Sequence, residues 1–399
     1  MNEHIALLHQ LSRWQESRLA ARSGLGLPAP PAGSADRTRL AGALPTGHRA
    51  WLLALVAGLV VSQLAGAEPP VQSTFKAVLL GSSQASPACL KDLRSDGFPA
   101  VVLSLAAASA SQDAEAARRI QGLGFDLYYW IEVGRCPELA DRHPEWMASL
   151  QGHPEWRRFF PSLPAVQPGE VVKNYPWVPV LYEEAFAAHV ERVKALLAQQ
   201  PVPKGIFLND LQGAPSACGC GHPLCRWTTD YGPIKTATRL PNQAAARFVQ
   251  AVKALAPGVT IVPVWTPECE AHDKEGLCAG VDCYQGTCWK EFTAQLTPVA
   301  EVCERIAALL PYRAFQRDLP RYGPTAGWVT QAVKSFGETP QQAKPLPAHR
   351  LLTVLQGWEV GREQIQAQIL RSAESGAAGY LLSLLKIEQD WEPRIVKLK

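Results

Sequence analysis

Several familiar signatures are missing from this chain. No Gly-x-Gly-x-x-Gly follows the first apolar run and no P-loop occurs, so neither of the common backbone cradles for a dinucleotide or nucleoside triphosphate is present. There is no low-complexity tract, and no Cys-x2-Cys pair of the kind that builds structural zinc sites. Charge of one sign is also scarce. Lys and Arg number 39 against 36 acidic residues, a net charge of +3, and the excess falls within residues 1–67. The neutral remainder offers no electrostatic footprint for nucleic acid. The apolar run 51–61 is short for the ~20 residues that a membrane-crossing helix needs.

That run nevertheless has company. Arg37, Arg39 and Arg49 precede it, and Ala65-Gly66-Ala67 follows. A basic flank, a short apolar core and an A-x-A arrangement predict a secretory signal peptide over 50–67 cleaved after Ala67, or, uncleaved, a signal anchor. Residues 1–49 are then an N-terminal tail, disordered or reflecting a start codon placed too early, and 68–399 is the functional domain. No lipobox cysteine precedes it. The ten cysteines all lie beyond Ala67. In an exported chain, periplasmic or extracellular, that placement favours disulfides over zinc or a catalytic thiol.

From residue 75 onward, eight apolar runs alternate with helical patterns. The runs are 75–80, 100–105, 125–133, 205–208, 259–265, 306–310, 351–355 and 378–385. Runs this short, bounded by turn residues, suit strands buried on both faces. Helical periodicity between them, clearest over 183–199, makes each pair a β-α-β unit. Eight such units predict an α/β fold, a (β/α)₈ TIM-type barrel, with long insertions at 134–181 after strand three and 266–297 after strand five. The 306–310 run is the weakest, because Val299, Val302 and Ile306 also fit a continuing helix. Both insertions would overhang the C-terminal face, where barrel enzymes keep their chemistry.

The strand ends carry a crown of polar residues. Glu132 ends strand three, Asp210 strand four and Glu268 strand five, while Tyr312 and Arg313 follow strand six and Lys386 and Glu388 follow strand eight. Carboxylates around one apolar mouth can have their proton affinities pushed apart, one staying an acid and another a nucleophile or base. The competing reading makes Glu132 and Glu268 structural partners of Arg135, Arg313 or Lys386. Tryptophans recur at the same level: Trp130, Trp265 and Trp358 lie at strand ends, with more in the loops. Flat aromatic faces cover the apolar faces of sugar rings. Cys218, Cys220 and Cys225 around His222, and Cys269, Cys278, Cys283 and Cys288, read as disulfide staples of loops lacking a core of their own. The repeated His-Pro-Glu-Trp at 143–146 and 153–156 reads as two short helix starts.

Tyr129-Trp130-Ile131-Glu132, the His-Pro-Glu-Trp loop, Phe207-Leu208-Asn209-Asp210 and Cys225-Arg226-Trp227 together resemble the exported glycoside-hydrolase-like (β/α)₈ barrels. In the large retaining group of those enzymes an Asn-Glu pair after strand four supplies the acid/base and a Glu after strand seven the nucleophile. Here the pair is Asn209-Asp210, and strand seven ends in Gln356-Gly357-Trp358. Other barrel glycosidases use an Asp after strand four as nucleophile, a part the resemblance gives to Asp210 with Glu268 or Glu132 as acid. The resemblance implies a polysaccharide or glycoconjugate ligand; the strand-end positions of Trp130, Trp265, Trp358, Tyr312, Arg313, Lys386 and Glu388 would put them around it, and no metal or cofactor is expected. A non-catalytic carbohydrate-binding barrel, or a membrane-anchored interaction protein held through 50–67, are the alternatives.

Overall fold

The computed structural model describes residues 75–150, 157, 160–211, 228–229, 232–233, 240–265, 267–268, 287–288, 298–311, 325–337, 348–387 and 392–397. Eight parallel strands close into a barrel: β1 Phe75–Leu80, β2 Ala100–Ser104, β3 Asp126–Glu132, β4 Gly205–Asn209, β5 Thr260–Trp265, β6 Ile306–Leu310, β7 Leu351–Gln356 and β8 Gly379–Ser383. Neighbours in the chain are neighbours in the sheet, and β1 pairs with both β2 and β8. Helices α1 Pro87–Ser95, α2 Ala110–Gly122, α3 Pro137–Arg142, α4 Glu183–Leu197, α5 Leu240–Leu255, α6 Gly327–Gly337 and α7 Arg362–Glu374 lie between strands. The predicted (β/α)₈ architecture is the observed one. The 306–310 run is a fully buried strand in register with β7, which settles its ambiguity with a helix.

Why the strands look uniformly apolar is now visible. Alternate residues feed two separate cores. One set fills the barrel, including Leu79, Val102, Trp130, Phe207, Val264, Leu309, Val354 and Leu381. The next set, among them Leu103, Ile131, Leu208, Trp265, Leu310 and Leu382, meets the surrounding helices. A strand between two apolar layers has no polar face to show. Phe207 stacks on Trp130 at 6.1 Å inside the barrel, so Phe207→Ala would cost about 3–5 kcal/mol. The helices follow local rules. Ser86 caps α1 by accepting the Cys89 amide at 3.2 Å, with Pro87 preset for the first turn.

The insertion after β3 departs from expectation. It forms a sheet of Ala148–Ser149, Glu170–Tyr175 and Glu392–Lys397, the last two antiparallel. It also has a core, in which Cys136, Leu139, Met147, Val178 and Ala185 are buried together. It is therefore a built unit with its own sheet and core and not a bare loop. Cys89, Cys136 and Cys303 are buried thiols and not disulfide halves. They sit in packed apolar surroundings, and the Cys303 thiol donates to the Val299 carbonyl at 3.0 Å. For these three, the expected pairing does not occur. The two cysteine-rich groups at 218–225 and 269–283, the second His-Pro-Glu-Trp and residues 1–74 lie outside the described residues, as does the Cys288 side chain. Within the first His-Pro-Glu-Trp, Pro144–Trp146 is a single 3-10 turn, and His143 stacks on Trp146 at 3.7 Å. Among the described residues no helix is long and apolar enough to cross a membrane.

Candidate active site

Strand parity and register assemble the site. On β3, Trp130 faces the barrel interior, so Glu132 two residues on takes the same face at the rim. On β4, Phe207 and Asn209 do likewise. The strands pair with Trp130 opposite Phe207 and Glu132 opposite Asn209. A four-residue patch at the C-terminal mouth follows directly from that register.

Its hydrogen bonds are specific. Trp130 Nε1 donates to Glu132 Oε1 at 2.6 Å, and Asn209 Nδ2 donates to Glu132 Oε2 at 2.8 Å. Both carboxylate oxygens of Glu132 thus accept from groups that can only donate there. Asp210 is buried, 4% exposed, and its carboxyl is hydrogen-bonded to that of Glu132. Two carboxyl groups in contact cannot both be ionised. Burial first, then the charge and hydrogen bond of Glu132, push Asp210 well above the usual carboxylate range, with the Arg135 cation opposing. The direction of that push favours a proton held within the pair over two free carboxylates.

The backbone has been bent to make this contact. Asp210 takes a left-handed conformation with φ of 60°, a region that costs most non-glycine residues about 1–3 kcal/mol and that Asp tolerates comparatively well. Gly134, two residues past Glu132, lies flat against it. A methyl group there would stand 2.2 Å from the Asp210 carbonyl oxygen and 3.3 Å from its Cβ. Only glycine fits.

Of the other residues expected at the mouth, Trp265 is fully buried in the outer layer, where strand parity points it at the helices. It is packing, not a sugar platform. Trp130 is 1% exposed inside the barrel, so its part is to hold Glu132 and not to present a flat face. Trp358 follows β7, half-buried against the inner core. Gln356 ends β7 facing inward, and its amide donates to the Trp358 carbonyl at 2.8 Å. Lys386 is exposed beyond β8. Glu268 lies in the two-residue strand Pro267–Glu268 just past β5, paired with Thr287–Cys288, with its side chain outside the described residues. Tyr312, Arg313 and Glu388 are likewise outside them. Among the described residues no group of three or more His, Cys, Asp or Glu side chains is placed to hold a metal ion. Gly134 and Asn209 gain roles that the residue types alone did not suggest, although a glycine just past a strand tip was a usable signal for close backbone approach; Arg135, expected beside Glu132, acts on Asp210 as the opposing charge.

Comparison with known proteins adds little to this geometry. No family model matches the sequence, and no curated protein does. Solved structures do match over most of the chain. An L-ribulose 3-epimerase is 13% identical with a TM-score of 0.38, covering 77% of this chain and 80% of its own. Bee venom hyaluronidase, solved with a hyaluronic acid tetramer, is 10% identical with a TM-score of 0.38 over 77% and 90%. A GH42 β-galactosidase from G. stearothermophilus is 12% identical with a TM-score of 0.43 over 76% and 50%. At such scores the fold assignment stays with the strand order, and the site with its own residues.

Proposed function

We propose that the protein is an exported hydrolase that cleaves a glycosidic bond in a polysaccharide or glycoconjugate, with Asp210 as its proton donor. The observation that carries this reading is the pair of half-buried Glu132 and buried Asp210 at the barrel mouth. Glycoside cleavage asks for a carboxylic acid kept neutral near pH 7 and a second carboxylate at the anomeric carbon. Asp210 meets the first need. It passes its proton to the departing oxygen as the bond to the anomeric carbon breaks. The new Asp210 anion, whose proton affinity is raised, is then strongly disposed to take a proton back from the attacking water. Acid and base are the same residue in successive steps.

The roles that the family resemblance suggested are thereby exchanged. Asp210 is the acid and not the nucleophile. Glu132 acts on the Asp210 carboxyl directly, through its charge and a hydrogen bond, whereas the second carboxyl of a glycosidase stands across the sugar ring from the acid. It tunes the acid and does not act from the opposite side of the sugar. We assign that opposite position to Glu268, in the two-residue strand just past β5, as the nucleophile. Export through residues 50–67 would place the enzyme outside the cytoplasm, and sequencing the N-terminus of the natural product distinguishes release from anchoring.

The test is a panel of polysaccharides and glycoproteins scored for new reducing ends. Wild type should release them from at least one, while Asp210→Asn and Glu268→Gln should each lose ~10²–10⁴-fold in rate and keep ligand affinity. Ligand binding with no turnover by wild type would make the protein a carbohydrate-binding barrel. Neither binding nor turnover would leave the interaction-protein alternative.

A further inference from the structure

The contact between Glu132 and Asp210 needs the end of β3 to stay in place, and the chain there leaves the sheet for the insertion. Three successive carbonyls at this exit, those of Glu132, Val133 and Gly134, would otherwise be satisfied only by what the insertion happens to offer. Each is tied down. Arg192, half-buried on α4, donates from one terminal nitrogen, Nη2, to the Glu132 carbonyl and, at 3.4 Å, to the Val133 carbonyl. The Gly134 carbonyl accepts from the Val178 amide at 2.8 Å. Val178 in turn is held through its own carbonyl by His189 Nε2 at 2.8 Å. His189 and Arg192 lie three residues apart and so on one face of α4. One helix face therefore fixes both the outgoing strand and the returning segment of the insertion.

We infer that Arg192 is a positioning residue for the proton-sharing pair: its grip on the β3 carbonyls keeps Glu132 against Asp210. An arginine suits the task because a terminal guanidinium nitrogen carries two N–H groups, one for each of two adjacent carbonyls. His189 is buried next to that cation, and burial followed by Arg192's charge lowers its basicity to a pKa of about 3. It is a neutral donor through Nε2 and not a proton carrier. The inference rests on the catalytic reading of the pair for its effect on rate, but not for its effect on the proton.

The infrared band of the protonated carboxyl, isolated by subtracting the Asp210→Asn spectrum, reports the pair without any substrate. Arg192→Met should shift the midpoint of that band to lower pH in folded protein, because Glu132 drifts from Asp210 and its charge no longer holds the proton. Where turnover is measurable, kcat should fall ~10²-fold with KM unchanged, as for a slightly misplaced catalytic group. Arg192→Lys keeps the charge and loses the fork, so its midpoint should lie between those of Arg192→Met and wild type. It carries the same measurement should Arg192→Met fail to fold. A folded variant whose band titrates as in wild type overturns the inference. A shifted midpoint in a protein that hydrolyses no glycan overturns the glycosidase reading and leaves the positioning role standing.

Discussion

Gly134 and Asp210 meet backbone to backbone, with room for a hydrogen atom and nothing larger between the Gly134 Cα and the Asp210 carbonyl. The two residues end adjacent strands, so this contact sets how far the proton donor can retreat from Glu132. Gly134→Ala should push Asp210 away. The expected loss is ~10²-fold in kcat, with a stability cost of about 1–3 kcal/mol from overpacking. Steady-state kinetics beside urea denaturation separates the two. Unchanged turnover in the alanine variant would mean that the contact is incidental.

Asp210→Asn should make the protein inactive and, at neutral pH, more stable. The folded-state proton affinity of Asp210 is raised, so the folded protein keeps a proton that the unfolded chain has released. Its contribution is fully present below the unfolded value of ~3.9 and is lost as pH rises toward the folded value. Asparagine has no such dependence and tolerates the left-handed backbone. The variant's advantage should therefore grow with pH from ~4 upward, reaching about 1 kcal/mol. Denaturation midpoints across pH 4–8 check the sign. A variant losing ground as pH rises would contradict a protonated Asp210.

Trp130→Phe keeps an aromatic ring in the barrel and removes one donor from Glu132. Losing the 2.6 Å bond leaves Glu132 less firmly held beside Asp210. Hydrolysis should drop ~10-fold or more in steady-state kinetics, as for a slightly misplaced group. An unchanged rate would assign Trp130 to packing alone.

Lys173 offers a check on the insertion that is independent of the site. It is fully buried in the middle strand of the three-stranded sheet and donates to the Glu145 and Met147 carbonyls at 2.8 and 2.9 Å. Burial lowers its pKa to about 7, with Glu145 partly opposing. Between that value and the ordinary 10.5, the unfolded chain binds the proton and the folded one does not. Stability should rise with pH through this window, by up to about 1.4 kcal/mol per pH unit. Lys173→Met should remove that component of the slope, which paired denaturation curves at pH 7–10 would detect. Parallel curves would place the amine in a wetter setting than its contacts imply.

The barrel was legible because each strand, buried on both sides, writes an unbroken apolar run bounded by turns. The insertion's sheet was not. Glu170–Tyr175 carries a buried lysine and asparagine, and its partner Glu392–Lys397 contains a proline and alternating charges. Neither reads as a strand until the two are side by side. At the site, Glu132 and Asp210 could be named from their positions at strand tips, but not their contact. That contact depends on β3 and β4 pairing Glu132 with Asn209, and a slip of one residue would turn the set outward. Trp265 misled for the same reason: it neighbours inward-facing Val264 in sequence and faces the opposite way in space. Arg192 had no signal at all, being one polar residue on an amphipathic helix.

The pairing of Glu392–Lys397 with Glu170–Tyr175 has a consequence for biosynthesis. During translation β3, β4 and the intervening sheet strand emerge early, whereas the partner that completes that sheet emerges long afterwards, following β8. The polypeptide must hold that edge unfinished while the rest of the barrel is made. Nascent chains halted before residue 392 would carry Glu132 and Asp210 without the strand that completes this sheet, so the insertion should gain its final stability only after the last barrel strand has emerged.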